Sequence, residues 1–311
     1  QPLISPFVEG KSTVEVLAMA LGEGDKDSYD IVRDYWEARV DGNVDGFWRE
    51  VLYQGRVPDT SHAPETVELQ TGALAEPPRP APQGLELVFR PDPTIYDGRY
   101  ANNGWLQETP KPFTKLTWDN AALISPRLAE RFELSSGDVV ELQVGDLSVE
   151  APVWVQPGQA TETVTVHLGY GRTQVGHVGE GAGFDAYKIR SSNHPWMAED
   201  LELRKTRARQ RLASTQMHQQ IEQEREIVRH GTVAELKNQP ERPHFVHPTQ
   251  HHDSDLYDDY LYEGYAWGMV IDMNTCTGCN ACVTACQAEN NSPIVGKEQV
   301  GRGREMHWLR I

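Results

Sequence analysis

The chain has 311 residues, 38% of them hydrophobic, with 29 Lys plus Arg against 46 Asp plus Glu and a formal net charge of −17. That length holds one large domain or two smaller ones with their own cores. The acid excess excludes nucleic acid as the main partner, because phosphate binding needs a net positive face, and no apolar run approaches the roughly 20 residues that span a bilayer.

Gln1-Pro2-Leu3 shows neither an initiator Met nor a charged-then-apolar signal pattern, so a processed form or an internal piece is expected, with any export signal out of view. Residues 1–57 read as helical. Ser12-Thr13-Val14-Glu15 is a capping box, and Val16, Leu17, Ala20 and Leu21 follow at helical spacing before Gly22. Ile31, Val32, Tyr35, Trp36 and Val40 form a second apolar stripe. Phe47, Trp48, Val51 and Leu52 form a third, with Asp45 as its expected cap and Gly55 as its stop. The aromatic residues are expected to pack onto a neighbouring domain. Residues 58–84 form a Pro-rich linker, since Pro58, Pro64, Pro77, Pro78, Pro80 and Pro82 fit neither regular helices nor central strands.

From residue 85 the pattern turns to period two, and residues 85–197 read as a barrel domain. Leu85-Glu86-Leu87 opens one strand and residues 139–144 suit another. Leu147, Val149, Ala151, Val153 and Val155 alternate strictly, and residues 163–168 alternate again. Between them Ser125-Pro126-Arg127-Leu128-Ala129 starts a short helix that leads to a turn at Ser136-Gly137-Asp138. Several short strands with one or two helices in about 100 residues predict a small β-barrel. Residues 198–263 read as a helical and loop connector, helical to 237 and rich in His, Pro and Asp beyond it. Arg204, Lys205, Arg207, Arg209 and Arg211 could form a nucleic-acid patch, but the acidic remainder favours the solvated face of a connecting helix.

All four Cys fall in the last section, residues 264–311, as Cys276-x-x-Cys279-x-x-Cys282-x-x-x-Cys286. A disulfide framework would scatter them. The spacing is that of bacterial ferredoxins. A cubane needs thiolates at several corners, and two-residue spacers let a tight loop wrap three of them while its N–H groups face the sulfides. Gly278 suits such a loop because glycine tolerates unusual backbone angles. Cys276, Cys279 and Cys282 are then expected to bind one 4Fe–4S cluster and Cys286 a second, as in two-cluster ferredoxins. Structural zinc is the competing reading, but zinc sites usually set two CxxC pairs well apart. Two such clusters need eight thiolates and the chain supplies four, so further ligands are expected beyond residue 311, where Trp308-Leu309-Arg310-Ile311 looks like the opening of a strand.

Weaker constellations remain. His244, His247, His251 and His252 could bind metal or haem, but they sit among Pro and Asp and read as a solvated linker. Gly169, Gly171, Gly176, Gly179, Gly181 and Gly183 follow a strand and could admit a phosphate or pterin; tight barrel turns explain them equally well. No Ser–His–Asp or paired-carboxylate arrangement stands out, and no catalytic residue is assigned.

Trp267-Gly268-Met269-Val270-Ile271-Asp272 before the cysteines, Gln287-Ala288-Glu289-Asn290-Asn291, Val295-Gly296-Lys297-Glu298 and Gly303-Arg304-Glu305-Met306-His307-Trp308 after them resemble the iron–sulfur domain of the B subunit of alternative complex III, a bacterial quinol-oxidising respiratory complex. They are similar, less specifically, to iron–sulfur subunits of polysulfide and related molybdopterin-linked reductases. Gln287 departs from the common ferredoxin pattern, which places Pro after the fourth Cys. Asn102-Asn103-Gly104-Trp105-Leu106-Gln107-Glu108, Leu116-Thr117-Trp118-Asp119-Asn120-Ala121-Ala122 and Ser136-Gly137-Asp138-Val139-Val140 resemble the last domain of a molybdopterin oxidoreductase. The resemblance implies an α+β, multidomain chain: the helical end of a molybdopterin-like domain, a double-psi β-barrel-like domain, a connector and the start of a ferredoxin-like iron–sulfur domain. It implies an electron-transfer subunit whose molybdopterin-like part is a scaffold without molybdenum cofactor. The clusters implied are 4Fe–4S, with 3Fe–4S as a further type. The implied partners are a membrane quinol-oxidising subunit, cytochrome c subunits and other subunits of the complex, on the periplasmic face of the inner membrane. The alternative is a catalytic molybdopterin oxidoreductase with its own iron–sulfur relay.

Overall fold

The computed structural model describes residues 10–70, 72, 84–215, 230–239, 263–265, 268–309 and 311. Two compact units divide the chain at residues 78 and 79. Among the described residues no helix is long and apolar enough to cross a membrane.

The first unit contains α1 (Thr13–Ala20), α2 (Ser28–Glu37) and α3 (Val44–Gln54). The expected capping box forms: the Glu15 amide donates to the Ser12 hydroxyl and the Ser12 amide to the Glu15 carboxylate. The same carboxylate also receives the Ser28 amide at 2.8 Å and hydroxyl at 2.9 Å, so one acid ties the starts of two helices. The cap of α3 is Asn43, not Asp45, and Gly55 ends the helix in the left-handed region as expected. Asp45 instead sits one residue inside α3, where its charge suits the helix N-terminus and pairs with Arg33. Trp48 is buried, edge-on to Tyr29 with ring centroids 5.7 Å apart, and its indole N–H donates to the Tyr29 hydroxyl at 2.9 Å. Val32, Tyr35, Leu52 and Tyr53 remain exposed.

The second unit is built on six strands: β1 (Leu85–Arg90), β3 (Ala122–Ile124), β4 (Asp138–Val144), β5 (Leu147–Val155), β6 (Thr163–His167) and β7 (Met197–Arg209). They close into a barrel in the order β1-β6-β3-β5-β4-β7. β1 runs parallel to β6, and β3 parallel to β5; the other pairings are antiparallel. Parallel neighbours need crossover connections, so this is no simple meander. A short ribbon of β2 (Leu116–Thr117) with β8 (Ala213–Ser214) lies outside the barrel. Leu87, Phe89, Ile124, Val140, Leu142, Ala151, Val153, Val164 and Val166 fill its core. The short helix α5 (Pro126–Arg131) caps with Ser125, whose hydroxyl accepts the Leu128 amide at 3.0 Å, and it drops Leu128 into that core. A 3-10 turn at Ala186–Ile189 adds Ala186 and Ile189.

The expected helix from 198 is corrected by the structure. Residues 197–209 are strand β7, so the barrel domain runs past 197 and the connector begins later than expected. Ala198, Leu201 and Leu203 point into the core, and β7 pairs with β1 on one side and β4 on the other. A register shift opposite Leu85 and Leu87 breaks the simple alternation. The basic residues that looked like a helix face lie across from acids: Glu141 is registered with Arg204, and Asp138 sits 3.1 Å from Lys205 and 3.2 Å from Arg209. Helix α6 (Val233–Asn238) is present farther along. His244, His247, His251 and His252 lie outside the described residues.

The Gly-rich segment packs against the barrel's own loops. A Cβ on Gly169 would stand 2.5 Å from the Gly98 amide nitrogen, and one on Gly171 would enter the backbone at Asp185. Both have positive φ, so glycine is required twice over. Of the terminal segment expected to open a strand, the described residues Trp308, Leu309 and Ile311 lie in no strand, and the Ile311 carbonyl accepts from Lys115 Nζ at 2.7 Å.

Candidate iron–sulfur site

The cysteine loop starts with an acid that bends the chain. The Asp272 carboxylate accepts the Asn274 amide at 2.9 Å, and the Asp272 carbonyl accepts the amides of Thr275 at 3.1 Å and Cys276 at 2.9 Å. Gly278 follows at φ +67°, and its N–H donates to Cys276 Sγ at 3.4 Å. Asn280 is also left-handed, at φ 60°, and helix α7 (Ala281–Glu289) begins immediately after it. Cys282 lies in the first turn of α7 and Cys286 one turn later, so these two share a helix face. Val283 and Gln287, displaced by one position, are buried.

All four cysteines are free thiols; Cys279 is exposed and the other three are half-buried. The Ala281 amide and the Thr277 hydroxyl hold the Cys279 thiol below its ordinary pKa. The Asn290 carboxamide lies 3.5 Å from Cys286 Sγ. Thiols alone, with N–H donors at sulfur, are the donor chemistry an iron–sulfur cluster requires. Among the described residues no three His, Cys, Asp or Glu side chains are gathered about one point to hold a metal ion. The fit therefore rests on donor type, spacing and backbone shape; ligand loops of this kind commonly close on the metal they bind. Gln287 lies inside α7, which runs on to Glu289, so the Pro of the common ferredoxin pattern would interrupt this helix.

What holds the loop in place comes from the barrel. Helix α4 (Gly104–Glu108) and the chain after it form a shelf beneath the cysteine segment. The buried Glu108 carboxylate accepts the amides of Val295 at 3.1 Å and Gly296 at 2.8 Å, and the Trp118 indole N–H at 3.1 Å. Trp105 donates to the Ser292 carbonyl at 3.1 Å. Asp119 accepts the Gly183 amide at 3.0 Å and pairs with Lys297, which opens helix α8 (Lys297–Val300). Burial holds the Asp119 carboxyl above its ordinary pKa, against the pull of Lys297. Gly104 lets Ile294 approach where any Cβ would collide with it. Sequence reasoning missed Glu108, Asp119 and Lys297 as supports, although all three fall in the stretches that carry the resemblance.

Beside the same shelf lies a cleft of about 660 Å³, lined in part by Arg90, Lys111, Phe113, Leu123, Gln159 and His167. Lys111 is buried there with Nζ 3.1 Å from Asp92 Oδ2 and 2.8 Å from the Tyr170 hydroxyl. Burial opposes the Lys111 charge, yet Asp92 and Tyr170 hold its pKa above the ordinary value. Burial pushes His167 down to about 4 and Tyr170 up to about 12. None of the six glycines singled out from the sequence lines this cleft.

A 4Fe-4S binding domain model matches residues 269–289, which include all four cysteines. Over 45 residues the chain is 76% identical to the iron–sulfur cluster-binding subunit of menaquinone reductase from Nitratidesulfovibrio vulgaris (strain Hildenborough); that stretch is 14% of this chain and spans 17% of the relative's length. Among solved structures, acetylene hydratase from Pelobacter acetylenicus aligns over 50% of this chain and 22% of its own, at 16% identity and a TM-score of 0.31.

Proposed function

We propose that this chain is the iron–sulfur electron-transfer part of a membrane-associated quinol-oxidising respiratory complex, of the alternative complex III type. The observation that carries the reading is the Cys276, Cys279, Cys282, Cys286 loop, matched by a 4Fe-4S binding domain model, in a chain that shares a 45-residue stretch at 76% identity with a menaquinone reductase iron–sulfur subunit. Cys276, Cys279 and Cys282 hold one 4Fe–4S cluster and Cys286 contributes to a second. Such clusters, 3Fe–4S included, supply one-electron transfer at potentials set by hydrogen bonding, charge and solvent exposure. The chain's own part is to present four thiols, to place the Gly278 amide and the Asn290 carboxamide near sulfur, and to pin the loop on the barrel. The barrel, of double-psi type, is a scaffold without molybdenum. The partners are a membrane quinol-oxidising subunit, cytochrome c subunits and others of the complex, on the periplasmic face.

Iron, acid-labile sulfide and molybdenum per chain, with EPR before and after dithionite on anaerobically purified native protein, test this. Several irons with matching sulfide, cluster signals and no molybdenum are the expected result. Stoichiometric molybdenum would transfer the assignment to a catalytic molybdopterin oxidoreductase. Zinc without sulfide would refute both.

A further inference from the structure

Asn280 stands between Cys279 and Cys282 and is only 4% exposed. Its left-handed backbone turns the loop from Cys279 into α7. Its carboxamide Nδ2 donates to the Pro110 carbonyl, 170 residues away, and its own carbonyl accepts the Thr284 amide at 3.0 Å. The Thr284 hydroxyl lies 3.1 Å from that of Thr109. The two hydroxyl protons serve the Trp105 carbonyl at 2.7 Å and the Asn280 carbonyl at 3.2 Å, or the bond between the hydroxyls. The residue between two thiol-bearing positions is thus tied to one barrel loop directly by its side chain and, through Thr284, by its carbonyl.

We propose that Thr109 and Pro110 form a positioning element for the cysteine loop, so that Cys279 and Cys282 are set for a cluster only while Asn280 is docked on the barrel. The proposal rests on the iron–sulfur reading above. Asn is among the few side chains that tolerate the left-handed region, so its identity satisfies the turn and the dock together. Asn280 touches no reacting atom; it acts through the thiols beside it.

The test uses the native protein, prepared anaerobically, in four variants. Asn280→Gly keeps the left-handed turn and removes only the carboxamide. Asn280→Asp keeps the size and turns an acceptor toward the Pro110 carbonyl. Thr109→Val and Thr284→Val remove the hydroxyl contact from either side. Chelator-driven iron loss should quicken about five- to tenfold in Asn280→Gly, the weight of one buried hydrogen bond, and further in Asn280→Asp. Thr109→Val and Thr284→Val should each quicken iron loss, and the pair together by less than the sum of the two, because they share the hydroxyl contact while each also gives up its own carbonyl. EPR line shape and midpoint potential should shift in all four while the apo barrel melts as wild type does. Wild-type retention, line shape and potential in the Asn280 variants would overturn the positioning role and leave the cluster assignment standing. Native protein that holds no iron and sulfide would overturn the cluster assignment itself, and the positioning role with it.

Discussion

Replacing Lys111 by Met asks how much the barrel's cysteine-bearing end depends on one buried ion pair. The Lys111 side chain is 4% exposed and that of Asp92 fully buried. Lys111 Nζ has Asp92 Oδ2 at 3.1 Å, Asp92 Oδ1 at 3.3 Å, the Tyr170 hydroxyl at 2.8 Å and Thr94 Oγ1 at 3.4 Å. Met keeps the length and removes the charge. Removing one partner of a buried pair typically costs about 3–5 kcal/mol. The lower end applies, because Asp92 Oδ1 keeps the Thr94 amide at 2.9 Å, the Thr94 hydroxyl at 2.8 Å and the Ile95 amide at 3.1 Å. At about 2–4 °C per kcal/mol for a unit of this size, the melting midpoint should fall by about 6–12 °C. Calorimetry of the apo chain, supported by urea unfolding, measures it. The deficit should shrink at acid pH: an unpaired buried Asp92 acquires a raised folded-state pKa, and protonation below it relieves the charge. Asp92→Asn in the same background should recover most of the loss. A deficit under about 1 kcal/mol that does not vary with pH would refute the argument that this charge is held by its partner.

Three further outcomes follow from single contacts. His167 titrates near 4 in the fold against 6.5 ordinarily, so the unfolded chain binds its proton first and stability falls as pH drops from about 6.5 to 4. The loss is at most about 3 kcal/mol, and His167→Gln should flatten it; the difference between the two melting curves removes the opposite contribution of Asp119, whose raised carboxyl pKa favours the fold at lower pH. Glu108→Gln keeps one acceptor and turns an NH₂ toward backbone N–H groups, costing about 1.5–3 kcal/mol. Hydrogen exchange should quicken at Val295 and Gly296, the amides it now caps. Gly171→Ala puts a methyl into the Asp185 backbone at φ +68°, so the midpoint should fall by more than the strain cost alone, about 1 kcal/mol.

Legibility in the sequence followed the distance over which information had to travel. The capping box of α1 and the turn before β4 are legible because all their parts lie within a few residues. The alternation of β5 is legible too, although Leu147 is exposed and only Ala151 and Val153 of the five apolar positions are fully buried. β7 escapes a local reading because its three core residues are spaced unevenly by a bulge, and its charges make sense only beside Asp138 and Glu141 on another strand. The cysteine spacing names a chemistry by itself. The dock of Asn280 could not be read the same way, since Pro110 offers a bare carbonyl, which no residue type signals.

The parallel pairings explain why these distant pieces meet. β1 and β6 run the same way with Arg90 registered against His167, so the chain leaves both strands at one end of the barrel. Residues 91–121 and the Gly-rich segment after 168 therefore start side by side, and Lys111–Tyr170, Asp119–Gly183 and Asn120–Phe184 bonds join them. The cysteine segment rests on the first of these two loops through Glu108, Thr109 and Pro110. Lys111 follows Pro110 directly, so the ion pair and the dock share one stretch of backbone. The two perturbations nevertheless separate: Lys111→Met should loosen the thiols only as far as it loosens the barrel, whereas Asn280→Gly should loosen them while the barrel stays intact. A Lys111→Met chain that melted early yet retained iron as well as wild type would show that the shelf outlasts the barrel core, and would place the support of the loop in Glu108 and Asp119 instead.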